Sequence, residues 1–188
     1  MKKTTCPHVL ALKASATLAL ALSLLPAGAA TVNNTYIQNS ANEIRGQLGG
    51  YARPTVYVNQ RACGEPSPNA MACGPYTISV GTSFLQGQEN NYGNYVAKFI
   101  LAHEWGHSIQ FTRGINKRAP MQELQADCVG GTFAKYAQTT LRYPSFIESA
   151  VRSARNAADY AEHGTPSQRD YYSRYGYANG LGACLNNI

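Results

Sequence analysis

The pattern His103-Glu104-Trp105-Gly106-His107 constrains this chain more than any other feature. Two histidines four positions apart share one face of a helix, so a helix here presents both imidazoles to a single point. The spacing suits one Zn²⁺ ion, with Glu104 placed to hold a water against the metal and take its proton. A buried histidine taken alone is usually structural. Two of them flanking a glutamate reverse that reading.

Periodicity predicts one helix over Asn91–Phe111, because Tyr92, Val96, Phe99, Ile100, His103 and His107 recur at three- and four-residue steps. Gly93 and Gly106 each weaken it by about 1 kcal/mol relative to Ala. A glycine beside a metal ligand also gives room for close packing, and Gly114 supplies a stop.

Catalytic zinc keeps three protein ligands and one open position. Glu123 is the candidate third ligand. Pro120 suits the first turn of a second helix, and Asp127, four residues on, shares its face with Glu123. The two carboxylates then divide the work. Glu123 binds the metal, and Asp127 accepts a hydrogen bond from the far ring nitrogen of a ligand histidine, His103 for choice. The same geometry allows the opposite assignment, with Asp127 as ligand. Leu124, Ala126, Cys128, Val129 and Phe133 mark this helix as largely buried, which argues against a solvated acidic face.

Residues 1–30 read as a signal peptide: Lys2, Lys3 and Lys13, an apolar run from Ala14 to Leu25, then Ala27-Gly28-Ala29. The run is short for a membrane span, and no other segment is long enough to make a stable one. Cleavage leaves residues 31–188 as one domain and lowers the net charge from +6 to +3. That balance, with no Lys/Arg block, excludes a nucleic-acid footprint. The expected location is exported, periplasmic or secreted.

Four cysteines remain after cleavage, Cys63, Cys73, Cys128 and Cys184, an even number that argues for two disulfides. Of the three pairings we favour Cys63–Cys73 and Cys128–Cys184. A structural zinc built from cysteines lacks any CxxC spacing.

Arg53–Asn59 and Thr77–Phe84 read as strands that pair antiparallel and pack on the motif helix, the second being the candidate edge for binding extended substrate. Helical patterns follow at Ala41–Leu48 and Pro144–Glu162. A further helix, capped by Thr165, Pro166 and Gln168, ends near Asn179-Gly180. His163 lies on the turn before it. Either His163 or Arg169 could face the open metal position and stabilise an oxyanion, or each could serve only a local structural role.

The segments HEWGHSIQ, ELQADCVGG and HGTPSQRDYYSRYGYANGLGAC, with the earlier cysteine pair, resemble the bacterial predicted neutral zinc metallopeptidase family from about residue 55 to the C-terminus. They are similar, more distantly, to the thermolysin-like and CAAX-prenyl-protease-like gluzincins. The resemblance implies an α+β, minigluzincin-like domain, mostly helical with a short antiparallel sheet. It also implies one catalytic Zn²⁺, Glu123 as ligand with Asp127 behind it, and a role for His163 and Arg169. Two departures stand out: a cleavable signal in place of an N-terminal anchor, and Gly-Leu-Gly-Ala before Cys184 in place of an acidic turn. The expected function is an exported zinc metalloendopeptidase acting on protein or peptide, with Glu104 as general base. A non-catalytic, zinc- and disulfide-stabilised envelope binding module is the alternative, and it gives Glu104 no task.

Overall fold

The computed structural model describes residues 30–64 and 69–188. The expected signal segment, save Ala30, and the tip of the Cys63–Cys73 loop lie outside them. The described residues form a small α+β domain. In chain order its elements are α1 (Asn34–Leu48), β1 (Thr55–Val58), β2 (Ala70–Ala72), β3 (Thr77–Val80), α2 (Thr82–Tyr92), α3 (Val96–Arg113), α4 (Met121–Thr139), α5 (Ile147–Asn156) and α6 (Pro166–Asn186).

The sheet corrects the expected all-antiparallel pairing. Its order is β1-β3-β2, with β1 parallel to β3 and β2 antiparallel to it. A parallel pair needs a crossover between its strands. Here the disulfide loop and β2 fill that interval. The edge beside α3 is therefore β2, and β3 is the central strand. Ala70-Met-Ala72 carries no β-branched residue and sits in a Pro/Gly-rich stretch, so nothing in the sequence marks it as a strand. β3 is also shorter than expected, because Gly81 opens α2 and puts Phe84 on a helix.

The motif helix is likewise two helices. Gly93 (φ 116°) ends α2, Tyr95 (φ 73°) precedes α3, and the chain turns between them. Buried Glu89 reaches across this break. Its carboxylate accepts from the backbone N–H groups of Tyr95 at 2.9 Å and Ala97 at 3.2 Å, placing negative charge at the N-terminus of α3. From Val96 to Gln110 every residue of α3 except Ile100 is buried. Burial on every side makes α3 the axis of the core, with its polar residues His103, Glu104, His107 and Gln110 enclosed as well. Trp105 anchors the side away from the histidines, fully buried with Nε1–H donating to Ala52 O at 3.0 Å.

Glycines bring α3, α4 and α6 together. A Cβ on Gly106 would lie 2.9 Å from Ala126 Cα, so α3 and α4 touch along their backbones beside His107. The approach of α6 to α4 is closer still: a Cβ on Gly131 would meet Ser173 O at 1.9 Å, and one on Gly176 would meet Cys128 O at 1.8 Å. Gly176→Ala therefore cannot be accommodated by a side-chain movement. It is expected to cost about 3 kcal/mol, the upper end for overpacking, read as a lowered urea midpoint.

At the C-terminal end, α5 is shorter than the expected Pro144–Glu162. The capping box of Thr165 and Gln168 is present, but α6 runs past the expected end to Asn186, broken only at Gly180 (φ 79°). Both favoured disulfides form, Cys63–Cys73 and Cys128–Cys184. The second is fully buried and closes 56 residues of chain, contributing about 4 kcal/mol in the chain-entropy account. Two disulfides fit an oxidising compartment. Among the described residues no helix is long and apolar enough to cross a membrane.

Candidate metal centre

One turn of α3 carries His103 and His107, and the first turn of α4 carries Glu123. Because α3 and α4 touch at Gly106, the three side chains converge. His103 Nε2 and His107 Nε2 stand 3.2 Å apart, and each is 3.2 Å from a Glu123 carboxylate oxygen. Ligands about 2.0–2.1 Å from a tetrahedral ion stand roughly 3.3–3.4 Å from one another. The two imidazole nitrogens are thus spaced as two corners of such a tetrahedron, and Glu123 faces them with one oxygen each, Oε2 toward His103 and Oε1 toward His107.

The chemistry of these donors agrees with the spacing. His103 Nδ1 donates to Asp127 Oδ1 at 2.9 Å, and His107 Nδ1 meets Gln110 Oε1 at 2.9 Å. With each Nδ1 proton committed to an oxygen, each Nε2 is left with a lone pair. Two lone pairs and a carboxylate facing each other repel unless a cation lies between them. In the metal-free chain a proton takes that place. Burial lowers the pKa of His103, but hydrogen bonds to Asp127 and Glu123 outweigh it and lift the value to about 10. For Glu123 burial acts upward, and its hydrogen bonds to the two histidines carry the pKa far below the carboxylate range. Three carboxyl groups, Glu104, Glu123 and Asp127, surround the histidines against the one guanidinium of Arg169, so the donor set suits a cation. The residues present fit a metal.

Behind His103 lies a buried clamp. Arg169 donates through Nε to Asp127 Oδ2 and through Nη2 to Asp127 Oδ1, both at 2.7 Å, and through Nη1 to Ala157 O at 3.1 Å. Asp127 is fully buried and Arg169 is 5% exposed. Burial raises the Asp127 pKa, but the Arg169 charge dominates and holds it below its ordinary value. Both Asp127 oxygens are thus engaged away from the cation position, which leaves Glu123 as the candidate third ligand. The guanidinium of Arg169 is taken up in the same way. It orients His103 through Asp127, and Arg169 also lines the cleft.

His163 does face the cleft, with Nε2 3.9 Å from Glu123 Oε2. Its Nδ1 lies 2.6 Å from Asp159 Oδ2. Asp159 is held down to about 2, first by the backbone N–H of Glu162 and then by His163, so it stays ionised beside the ring.

Glu104 lines the same cleft, of about 450 Å³, without belonging to the ligand set. Its Oε2 accepts the backbone N–H of Ala72 at 2.8 Å. Along β2, Asn69 O and Cys73 N bond to the β3 side, so by alternation Ala70 and Ala72 turn their backbone groups outward over the metal position. Sequence reasoning passed over Ala72, whose contribution is a backbone group. It also passed over Gln110, although its position three residues after His107 was a readable sign.

No family model matches the chain, and no solved structure matches it. Uncharacterized proteins of Mycobacterium bovis and of two Mycobacterium tuberculosis strains are similar to it. Each is 29% identical over 120 residues, covering 49% of this chain and 39% of its own length. The chain thus spans about two fifths of the relatives it matches.

Proposed function

We propose that this chain is an exported zinc metallopeptidase of the gluzincin-like kind, hydrolysing peptide bonds. One observation carries the reading. A buried carboxylate, Glu104, stands in the metal cleft outside the ligand set, held at one oxygen by Ala72 N–H. A purely structural metal site has no use for such a group.

Zinc bound by His103, His107 and Glu123 would supply a Lewis acid and lower the pKa of water at its open position. The other parts are protein groups. Glu104 Oε2 is fixed by Ala72, and its other oxygen is free to take a proton and later return it to the leaving amine. An extended peptide fits beside β2, because the outward backbone groups of Ala70 and the carbonyl of Ala72, whose N–H is held by Glu104, can pair with main chain of any sequence. His163 lies on the far side with Asp159 orienting the ring through Nδ1, and as an imidazolium it would donate from Nε2 to the developing oxyanion. The histidine-rich cleft, the edge strand and the two disulfides all support this reading, as does the sequence resemblance.

The test is hydrolysis of an unfolded protein by the zinc-loaded chain. Cleavage is expected, abolished by a chelator and restored by Zn²⁺, with fragment ends giving the specificity. A chain that holds one zinc tightly and cuts neither unfolded proteins nor peptide libraries would favour the binding-module alternative.

A further inference from the structure

The two histidines of the centre are supported differently. His103 rests on a charged pair, Asp127 and Arg169. His107 rests on a neutral chain of amides that runs to the C-terminal end of α6. Gln110 Oε1 lies 2.9 Å from His107 Nδ1, while Gln110 Nε2 donates to Gln122 O at 2.8 Å and to Gln125 Oε1 at 3.0 Å. Gln125 Nε2 donates in turn to Cys184 O at 2.9 Å. Gln110 is 3% exposed, and Gln125 and Cys184 are fully buried.

This chain has a direction. A main-chain carbonyl only accepts, so Cys184 O fixes which end of the Gln125 amide faces it. The Gln125 oxygen must then face Gln110 and accept. That turns the Gln110 nitrogen toward Gln125 and Gln122, and its oxygen toward His107. An amide oxygen only accepts, so the His107 proton sits on Nδ1 and the Nε2 lone pair faces the cation position. Cys184 is itself held in place, past the break at Gly180, by its disulfide to Cys128 on the helix that also carries Glu123 and Gln125. Neutral amides add no further negative charge to a centre that already gathers Glu104, Glu123 and Asp127.

We infer that Gln110 and Gln125 are positioning residues that set the tautomer of His107 from the Cys184 carbonyl, making the disulfide-tethered end of α6 part of the metal centre. The inference rests on the metal site of the reading above, not on peptide hydrolysis.

The test reads metal binding. Zinc affinity, by competition with a chromophoric chelator, and the visible spectrum of the Co²⁺-loaded chain are compared for wild type, Gln110→Met, Gln125→Met and Thr132→Val. Thr132 is a buried polar residue on α4 whose hydroxyl bonds to Val129 O. Gln110→Met should weaken zinc binding by about 10–100-fold, as loss of a ligand's outer partner does, and shift the cobalt bands. Gln125→Met, which touches no histidine, should weaken it by a smaller factor and shift the bands the same way. Thr132→Val should lower stability alone. If Gln110→Met does not fold, Gln125→Met carries the test. Wild-type affinity and spectrum in the folded glutamine variants would overturn the inference while leaving the zinc site standing. A wild type that holds no zinc would overturn both.

Discussion

Glu104→Gln is expected to lower peptide hydrolysis by about 10³-fold, within the range for loss of a positioned general base, while leaving bound zinc unchanged. The substitution isolates the basicity of the group. Gln has the same length, and its oxygen can still accept the Ala72 N–H that now lies 2.8 Å from Glu104 Oε2. The residue is only 7% exposed, so the amide has little freedom to turn elsewhere. What it loses is the ability to take a proton. The three ligand groups are untouched, so zinc content per chain should match wild type. Measured kcat/KM on a peptide found in the unfolded-protein digest decides the matter. A variant keeping more than about a tenth of wild-type kcat/KM would remove Glu104 from the general-base role.

The parts of this centre legible in the sequence are those set by helical spacing. His103 with His107, and Glu123 with Asp127, each stand four apart, and a helix puts such pairs on one face whatever surrounds it. The pairing Cys63–Cys73 was legible because a ten-residue separation in a turn-rich segment closes easily. The sheet was not. Ala70-Met-Ala72 becomes a strand only because β3 lies beside it, so its propensity carried no signal. The break at Gly93 was hidden by apolar residues that continue in step across it, and its cause, the reach of Glu89 to Tyr95 and Ala97, is tertiary. The destination of Arg169 depends on where α6 crosses α4. That crossing is fixed by Gly131 and Gly176, two glycines whose meaning appears only when the helices are placed together. The amides of Gln110 and Gln125 fall between these cases: their spacing was visible, but their common endpoint at Cys184 was not.

Arg169→Met should destabilise the metal-free chain by about 3–5 kcal/mol, the range for breaking one side of a buried ion pair. Met fills much of the volume, so the loss is chiefly electrostatic. Asp127 is fully buried, and without Arg169 its charge keeps only the His103 Nδ1–H as partner. The pH dependence follows from the direction of the Asp127 shift, downward because Arg169 outweighs burial. A carboxylate depressed in the folded state contributes its full stability above its unfolded pKa, about 3.9, and loses it as pH falls through the lower folded value. In the variant, burial without the guanidinium favours the neutral acid, so acidification relieves the strain. The gap between wild type and Arg169→Met should therefore be widest near neutrality and narrow below pH about 4. Urea unfolding in the presence of chelator at pH 7 and at acid pH measures it. The double variant Arg169→Met with Asp127→Leu removes both charges and should recover much of the stability, since well-packed apolar replacements of a buried pair are often neutral. It should not recover metal affinity, because His103 Nδ1 has then lost its acceptor. Stability and zinc binding would part company in that protein, and a double variant that regained both would show that the pair holds the fold alone.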